Sequence, residues 1–281
     1  MNKKIAIVTG ASSGFGLLTS LELAKKGFYV IATMRNLEKQ TSLLSQAITL
    51  QLEQNIQTHQ LDVTNQESIT RFQLFLKQLD QVDVLVNNAG YASGGFVEEI
   101  SIEEYRRQFE TNVFGAIAIT QLVLPFMRKQ QSGKIINVSS ISGKIGFPGL
   151  SPYVSSKHAL EGWSESLRLE VKPFGIEVSL VEPGSYNTNI WEVGQQLAQS
   201  NSNSESPYKE YMDKIQNHIN SGSDTFGNPI DVAEKIVSIA EAKHTALRYP
   251  IGKGVRLMMV AKKILPWRWW EFLVLRSFKK K

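Results

Sequence analysis

Cysteine is absent from this 281-residue chain, which excludes disulfides, thiolate nucleophiles and Cys-ligated metal. Histidine is scarce: His59, His158, His218 and His244 share no metal-ligand spacing with one another or with a carboxylate cluster, so no metal site is expected. Long apolar runs are missing too, and no transmembrane helix is predicted. The apolar run Ile5-Ala6-Ile7-Val8 that follows the basic start is too short for a signal-peptide core. The cytoplasm is the default location these absences leave. Charge of one sign does not dominate the body of the chain. The net charge is +5, but residues 253–281 alone hold nine Lys/Arg against one Glu, so the remainder is mildly acidic. A nucleic-acid-binding body is therefore not expected, and the basic character belongs to the C-terminal tail.

What is present is a core. Apolar residues make up 42% and charged residues 20%, which argues against disorder and allows one large α/β domain or two small ones. Short β-branched runs alternate with longer amphipathic segments. Strands are predicted near 4–9, 28–34, 56–61, 82–87, 133–139, 176–182 and 247–252. Helices are predicted near 15–26, 37–53, 65–79, 102–129, 152–171, 207–220 and 229–241. That alternation predicts βαβ units and a parallel sheet.

Three motifs fall at predicted strand ends, the edge where open α/β sheets bind ligands. Thr9-Gly10-Ala11-Ser12-Ser13-Gly14-Phe15-Gly16 stands between a strand and a helix. Its glycines permit a tight turn and close approach to a pyrophosphate, and the helix N-terminus offers free N–H groups to the anion. The spacing is Gly-x3-Gly-x-Gly rather than the commoner Gly-x-Gly-x2-Gly. Asn87-Asn88-Ala89-Gly90 and Asn137-Val138-Ser139-Ser140 end two further strands. Tyr153 and Lys157 follow, four residues apart and so on one helical face. A nearby ammonium is expected to lower the phenol pKa, making Tyr153 a candidate general acid/base at neutral pH.

With these motifs, Asp62, Asn112 and Pro183-Gly184, the chain resembles the short-chain dehydrogenase/reductase family over roughly residues 3 to 190. Within it, Ala32-Thr33-Met34-Arg35 and the long C-terminal part are similar to the hydroxysteroid and retinol dehydrogenase-like branch and to poorly characterised bacterial oxidoreductases. The resemblance implies a Rossmann-like, doubly wound parallel sheet of seven strands, ordered 3-2-1-4-5-6-7, in a single α/β domain over 1–253. Residues 185–228 would be a substrate-lid insertion and 254–281 a basic, aromatic tail. Catalytic roles are implied for Asn112, Ser140, Tyr153 and Lys157. Cofactor contacts are implied at Gly10, Ser12, Ser13, Gly14, Phe15, Gly16, Asp62, Val63, Asn88, Ala89, Gly90, Tyr153, Lys157, Pro183, Gly184 and Thr188.

An acid at the end of the second strand would bind a ribose 2′-hydroxyl. By resemblance Met34 holds that place, and Arg35 follows at once. A guanidinium pairs with a 2′-phosphate, and Ser13 and Lys39 add donors, so NADP(H) is expected over NAD(H). Asp62 resembles an adenine-contacting acid; as a residue it reads equally as a helix cap. Asn112 reads as the holder of a relay water or as a polar group bonding a kinked helix backbone. By resemblance, Lys157 also binds the nicotinamide ribose.

The expected reaction is hydride transfer between nicotinamide and a carbonyl or carbinol carbon. Tyr153 manages the proton and Ser140 steadies the oxygen. The alternative is a non-catalytic NADP(H)-binding sensor or scaffold, against which the complete Ser140, Tyr153 and Lys157 set argues. Trp191, Tyr208, Tyr211, Met212 and Phe226 in the lid either line an apolar pocket or pack the lid onto the body. The tail holds three tryptophans, with Pro266 dividing it into two short helices. It reads as a packed terminal element, a pocket or oligomer contact, or a surface touching anionic lipid.

Overall fold

Val30, Ile31, Ala32, Thr33 and Met34 are all buried, as a parallel strand covered on both faces requires. In the computed structural model, which describes residues 3–188, 206–222 and 226–277, seven such strands form one parallel sheet. They are β1 (Ile5–Val8), β2 (Tyr29–Met34), β3 (Ile56–Gln60), β4 (Val84–Asn87), β5 (Gly133–Val138), β6 (Ile176–Pro183) and β7 (Arg248–Ile251). Their order is β3-β2-β1-β4-β5-β6-β7, as the resemblance implied. The chain winds outward from β1 to β3, then returns beside β1 as β4 and winds the other way. The crevice between the carboxyl ends of β1 and β4 is thus the topological switch point.

Side-chain alternation assigns the strands to two cores. Ala6 and Val8 face one helical layer, formed by α1 (Gly14–Lys25) and α8 (Pro229–Glu241). Ile7, Leu85 and Ile135 face the other, formed by α3 (Gln66–Leu76), α5 (Gly115–Gln130) and α6 (Ser151–Val171). The helical run Ile102–Gln130 is long and apolar enough by composition to cross a membrane. Its Ile119, Val123 and Met127 are fully buried against the sheet, so it is a core layer here.

The predicted elements are present, with two differences. The helix expected over 37–53 is a 3-10 turn, Leu37–Gln40, followed by α2 (Thr41–Thr49). The Asn36 side chain accepts from the Glu38 N–H to start the turn, and Gln51, at φ 56°, ends the segment. The helix expected over 102–129 is α4 (Ile102–Phe109) and α5, joined by a π-helical turn at Glu110–Phe114 that contains Asn112. The tail is α9 (Val255–Ile264) and α10 (Trp267–Ser277), divided at Pro266 as expected. Between β6 and α8 the described part of the long insertion includes α7 (Lys209–Gly222).

Candidate active site

The glycine turn and the Asn-Asn-Ala-Gly segment close on each other at the switch point. The Asn88 amide donates to the Thr9 carbonyl (2.9 Å) and the Gly10 carbonyl (3.1 Å), while the Thr9 hydroxyl accepts from the Asn88 and Ala89 N–H groups (3.0 Å each). A Cβ on Gly16 would lie 2.3 Å from the Gly10 carbonyl oxygen, and one on Gly10 would lie 2.8 Å from Ala89 Cα. Both positions therefore demand glycine. Gly14 stands at φ 53°, a left-handed conformation that glycine adopts without strain. Leu17 is the first N–H of α1 to bond back, to Ser13, so the N–H groups ahead of it face outward with the positive end of the helix dipole. Ser13 starts α1 without making a side-chain cap, leaving its hydroxyl at that mouth beside Ser12. This cradle fits a dinucleotide pyrophosphate.

The remaining cofactor candidates fall around the cradle with sorted roles. Phe15 meets Tyr186 edge to face at 5.6 Å, so its backbone, not its ring, faces the turn. Thr188 Cβ lies 3.8 Å from the place a Cβ on Gly14 would take, which brings the loop after Pro183 and Gly184 to the glycine turn. The Met34 side chain is 1% exposed in the core, while Arg35, next in the chain, is exposed and makes no ion pair among the described residues. Asp62 is not the cap of α3, because Asn65 is, accepting from the Ser68 N–H at 2.9 Å. The Asp62 carboxylate instead accepts from the Thr64 N–H (2.9 Å) and hydroxyl (2.7 Å). Val63 is buried, and its Cγ2 lies 2.6 Å from where a Cβ on Gly115 would be, a packing contact that fixes the neighbouring loop.

Ser140, Tyr153 and Lys157 converge beside this cradle. Ser140 ends the loop after β5 and hydrogen-bonds Tyr153; all three residues are buried. The Lys157 ammonium donates to the Val138 carbonyl at 2.8 Å and stands 5.7 Å from the centre of the Tyr153 ring. The expectation that Lys157 lowers the Tyr153 pKa does not hold in this arrangement. Burial pushes the phenol up to about 12, against a smaller opposing effect of the Ser140 hydrogen bond. Burial likewise pushes the ammonium down to about 8, with Glu161 pulling the other way. The cause is shared desolvation, with the ammonium turned to a backbone carbonyl instead of the phenol oxygen.

Asn112 lies in the π-helical turn, and its side chain bonds a neighbouring loop and helix rather than the backbone of its own helix. Its amide oxygen accepts from the Tyr91 N–H (3.1 Å), and its nitrogen donates to the Tyr91 carbonyl (3.0 Å) and the Ser156 hydroxyl (3.1 Å). With both donors used, the side chain ties the 88–91 loop to α6. A Cβ on Gly90 would come within 3.0 Å of that amide oxygen.

The sequence reading missed a buried acid cluster directly behind Lys157. Glu161, one turn further along α6, is 2% exposed, and Glu182, near the end of β6, is completely buried. Arg248 reaches both, at 2.9 Å and 3.5 Å, and Lys144 pairs with Glu161 at 3.0 Å. Three carboxyl oxygens of the pair lack a donor among the described residues. A proton held between the two carboxyls would satisfy two of these oxygens. Burial, then the neighbouring Glu161 charge, pushes Glu182 up to about 7. The sequence signal was an acid ending an otherwise uncharged strand run, Val178-Ser179-Leu180-Val181-Glu182, which propensity alone reads as a strand end.

This cluster has a pH signature. A carboxyl whose pKa is raised on folding stabilises the fold below its unfolded pKa, and that contribution is lost as pH rises through about 7. Glu182→Gln removes the titration, so the variant should lose less stability than the parent between pH 6 and pH 8.5, by about 1–3 kcal/mol. Thermal unfolding at the two pH values measures it; parallel losses in both proteins would refute the buried proton.

In the insertion, Tyr208 stacks on Phe96 at 4.4 Å and Tyr211 approaches it at 5.4 Å, so both pack the insertion onto the body. Met212 and Ile215 lie near Gly149, close to the start of α6. Trp191 lies outside the described residues. A cavity of about 340 Å³ lined by Lys4, Asp83, Lys134 and Glu177 opens at the opposite sheet edge, away from Tyr153.

A doubly wound parallel sheet with an anion cradle at its switch point defines a dinucleotide-binding α/β protein. Residues 4–198 match the short chain dehydrogenase family, and the chain belongs to that family of oxidoreductases. It is 50% identical over 275 residues to the uncharacterized oxidoreductase YusZ of Bacillus subtilis, covering 98% of each chain. It is 34% identical over 266 residues to 3-ketodihydrosphingosine reductase of Bacteroides thetaiotaomicron, covering 94% of this chain and 93% of the relative. Among solved structures, ElxO with NADP bound is similar at TM-score 0.74 and 30% identity, over 91% of this chain and 100% of that one.

Proposed function

We propose that this protein is an NADP(H)-dependent oxidoreductase that interconverts a carbonyl and an alcohol on an apolar substrate, with Tyr153 as the acid/base. The observation that carries this reading is the convergence of Ser140, Tyr153 and Lys157 beside a glycine cradle whose close contacts leave no room for a Cβ. Gly10, Ser12, Ser13, Gly14, Gly16 and the α1 N-terminus would hold the pyrophosphate, and Arg35 the 2′-phosphate. Thr188 and the Pro183-Gly184 loop would flank the nicotinamide half, and Asp62 with Val63 the adenine side. The similarity to ElxO, which was solved with NADP, supports that cofactor. When bound, the nicotinamide supplies or accepts the hydride.

The chain's own residues then handle the oxygen and the proton. With its pKa near 12, Tyr153 is a phenol across the physiological range and ready to donate to a carbonyl oxygen that gains negative charge. Ser140, already bonded to Tyr153, presents its hydroxyl to the same oxygen. Lys157 would serve the cofactor instead, its ammonium offered to the nicotinamide ribose as the family resemblance implies. Asn112 acts as a positioning residue, through Tyr91 and Ser156. The apolar substrate class is supported by the relative named 3-ketodihydrosphingosine reductase. A sensor without catalysis finds less support, because it needs no buried Ser-Tyr-Lys group.

Loss of NADPH absorbance with a panel of apolar ketones and aldehydes tests the proposal. Turnover is expected with NADPH and at least one of these substrates, and tight NADPH binding without turnover on any of them would favour the sensor. Lys157 sets the alkaline limit: kcat/KM for reduction should fall as pH rises past about 8, where the ammonium loses its charge. A flat profile from pH 7 to pH 10 would remove Lys157's charge from the mechanism.

A further inference from the structure

The last two helices turn apolar side chains away from the protein. In α9, Leu257, Val260 and Ile264 follow i, i+3, i+7 spacing on one face and are 74%, 53% and 72% exposed. In α10, Trp269, Phe272 and Leu273 are 64%, 53% and 49% exposed. Nine of the seventeen large apolar side chains exposed among the described residues fall within 255–277, so they form a patch and not a scatter. The opposite faces hold the pair in place. Val255 and Trp270 are buried with Ile141 and Ile145, and the Lys262 ammonium lies 4.0 Å above the Trp267 ring.

Cations rim the outward patch: Arg256 and Lys263 on α9, Arg268 and Arg276 on α10, with Glu271 the one acid between residues 253 and 281. A Trp-bearing apolar face ringed by Lys and Arg matches the boundary of an anionic bilayer, where rings sit at headgroup depth and cations meet lipid phosphates. A second copy fits less well. A two-fold contact would set the same patch on both sides and oppose cation to cation.

We propose that α9 and α10 are a docking surface for an anionic lipid bilayer, lying along the membrane plane with the outward apolar residues immersed. The docking stands independently of the activity proposed above, but its consequence rests on that activity. The inner face of the pair packs on Ile141, Ile145 and Phe147, in the segment between Ser140 and Tyr153. A Cβ on Gly184 would lie 2.6 Å from Val255 Cγ2, so α9 also abuts the loop proposed to flank the nicotinamide half. Docking would therefore bring the bilayer beside the reactive group, and a carbonyl compound dissolved in lipid would reach it with a short path through water.

The test is co-sedimentation of the full chain with phosphatidylcholine vesicles, with and without phosphatidylglycerol. The Tyr153→Phe protein runs in parallel, so that binding is read apart from catalysis. Binding should rise at least about tenfold when phosphatidylglycerol is present and fall with added salt. The double variant Phe272→Glu, Leu273→Glu should lose about tenfold or more of that binding while its thermal unfolding stays that of the parent, since both side chains are exposed. Equal sedimentation with both vesicle types, or full binding by a folded double variant, would overturn the proposal. So would a dimer in the absence of lipid that the same variant dissociates, because that assigns the patch to a second copy. Vesicle binding without ketone turnover would leave the docking standing and refute the catalytic reading alone.

Discussion

Tyr153→Phe should lower ketone reduction by roughly 10²–10⁴-fold while leaving NADPH affinity close to that of the parent protein. The substitution removes one hydroxyl from a buried ring and keeps its shape, so the packing around α6 survives. What is lost is the proton donor and the partner of Ser140. Stopped-flow reduction and NADPH fluorescence titration on the same preparation separate the two effects. Turnover within a few fold of the parent would remove Tyr153 from the chemistry, and parallel loss of cofactor binding would make it a structural residue. Ser140→Ala should fall in the same direction by a smaller factor, because a neighbouring donor stabilises the oxygen without supplying the proton.

Arg35→Glu should reverse the cofactor preference. The exposed guanidinium at the end of β2 makes no ion pair among the described residues, so its charge is available to a phosphate. A charge-assisted pair contributes about 1.5–3 kcal/mol, and a carboxylate in its place repels the 2′-phosphate while accepting from a 2′-hydroxyl. Together these predict a loss of about 100-fold in affinity for NADPH and little change, or a gain, for NADH. Titration with both cofactors reads the ratio directly. Equal losses for both would mean that Arg35 does not read the phosphate. Because Met34 is buried in the core, Met34→Asp should destabilise the fold instead of retuning the preference, since it places an unpaired charge there.

Much of this protein was legible in the order of its residues. The glycine turn, the two asparagine-bearing strand ends and the Tyr-Lys spacing are local patterns, and each carries its geometry within a few residues. Strand and helix limits followed from periodicity to within a residue or two in most cases. The π-helical turn at Glu110–Phe114 was not visible, because its cause is tertiary: Asn112 is drawn toward the Tyr91 backbone and Ser156 from other elements.

Charge relations were the least legible. A spacing of four residues puts Tyr153 and Lys157 on one helical face whatever surrounds them. Whether the ammonium lowers the phenol pKa depends on burial and on where Nζ points, and here it points to Val138. Glu161 and Glu182 are 21 residues apart in sequence, and Arg248 lies 66 further on. Only the sheet, by setting β6 between α6 and β7, gathers them into one buried cluster. The sequence alone determined the family and the order of its strands and helices, because these are short-range patterns repeated along the chain. Tertiary structure decided which asparagine bonds what, which acids are buried together and which face of the tail meets solvent, because each depends on desolvation and on contacts between residues distant in the chain.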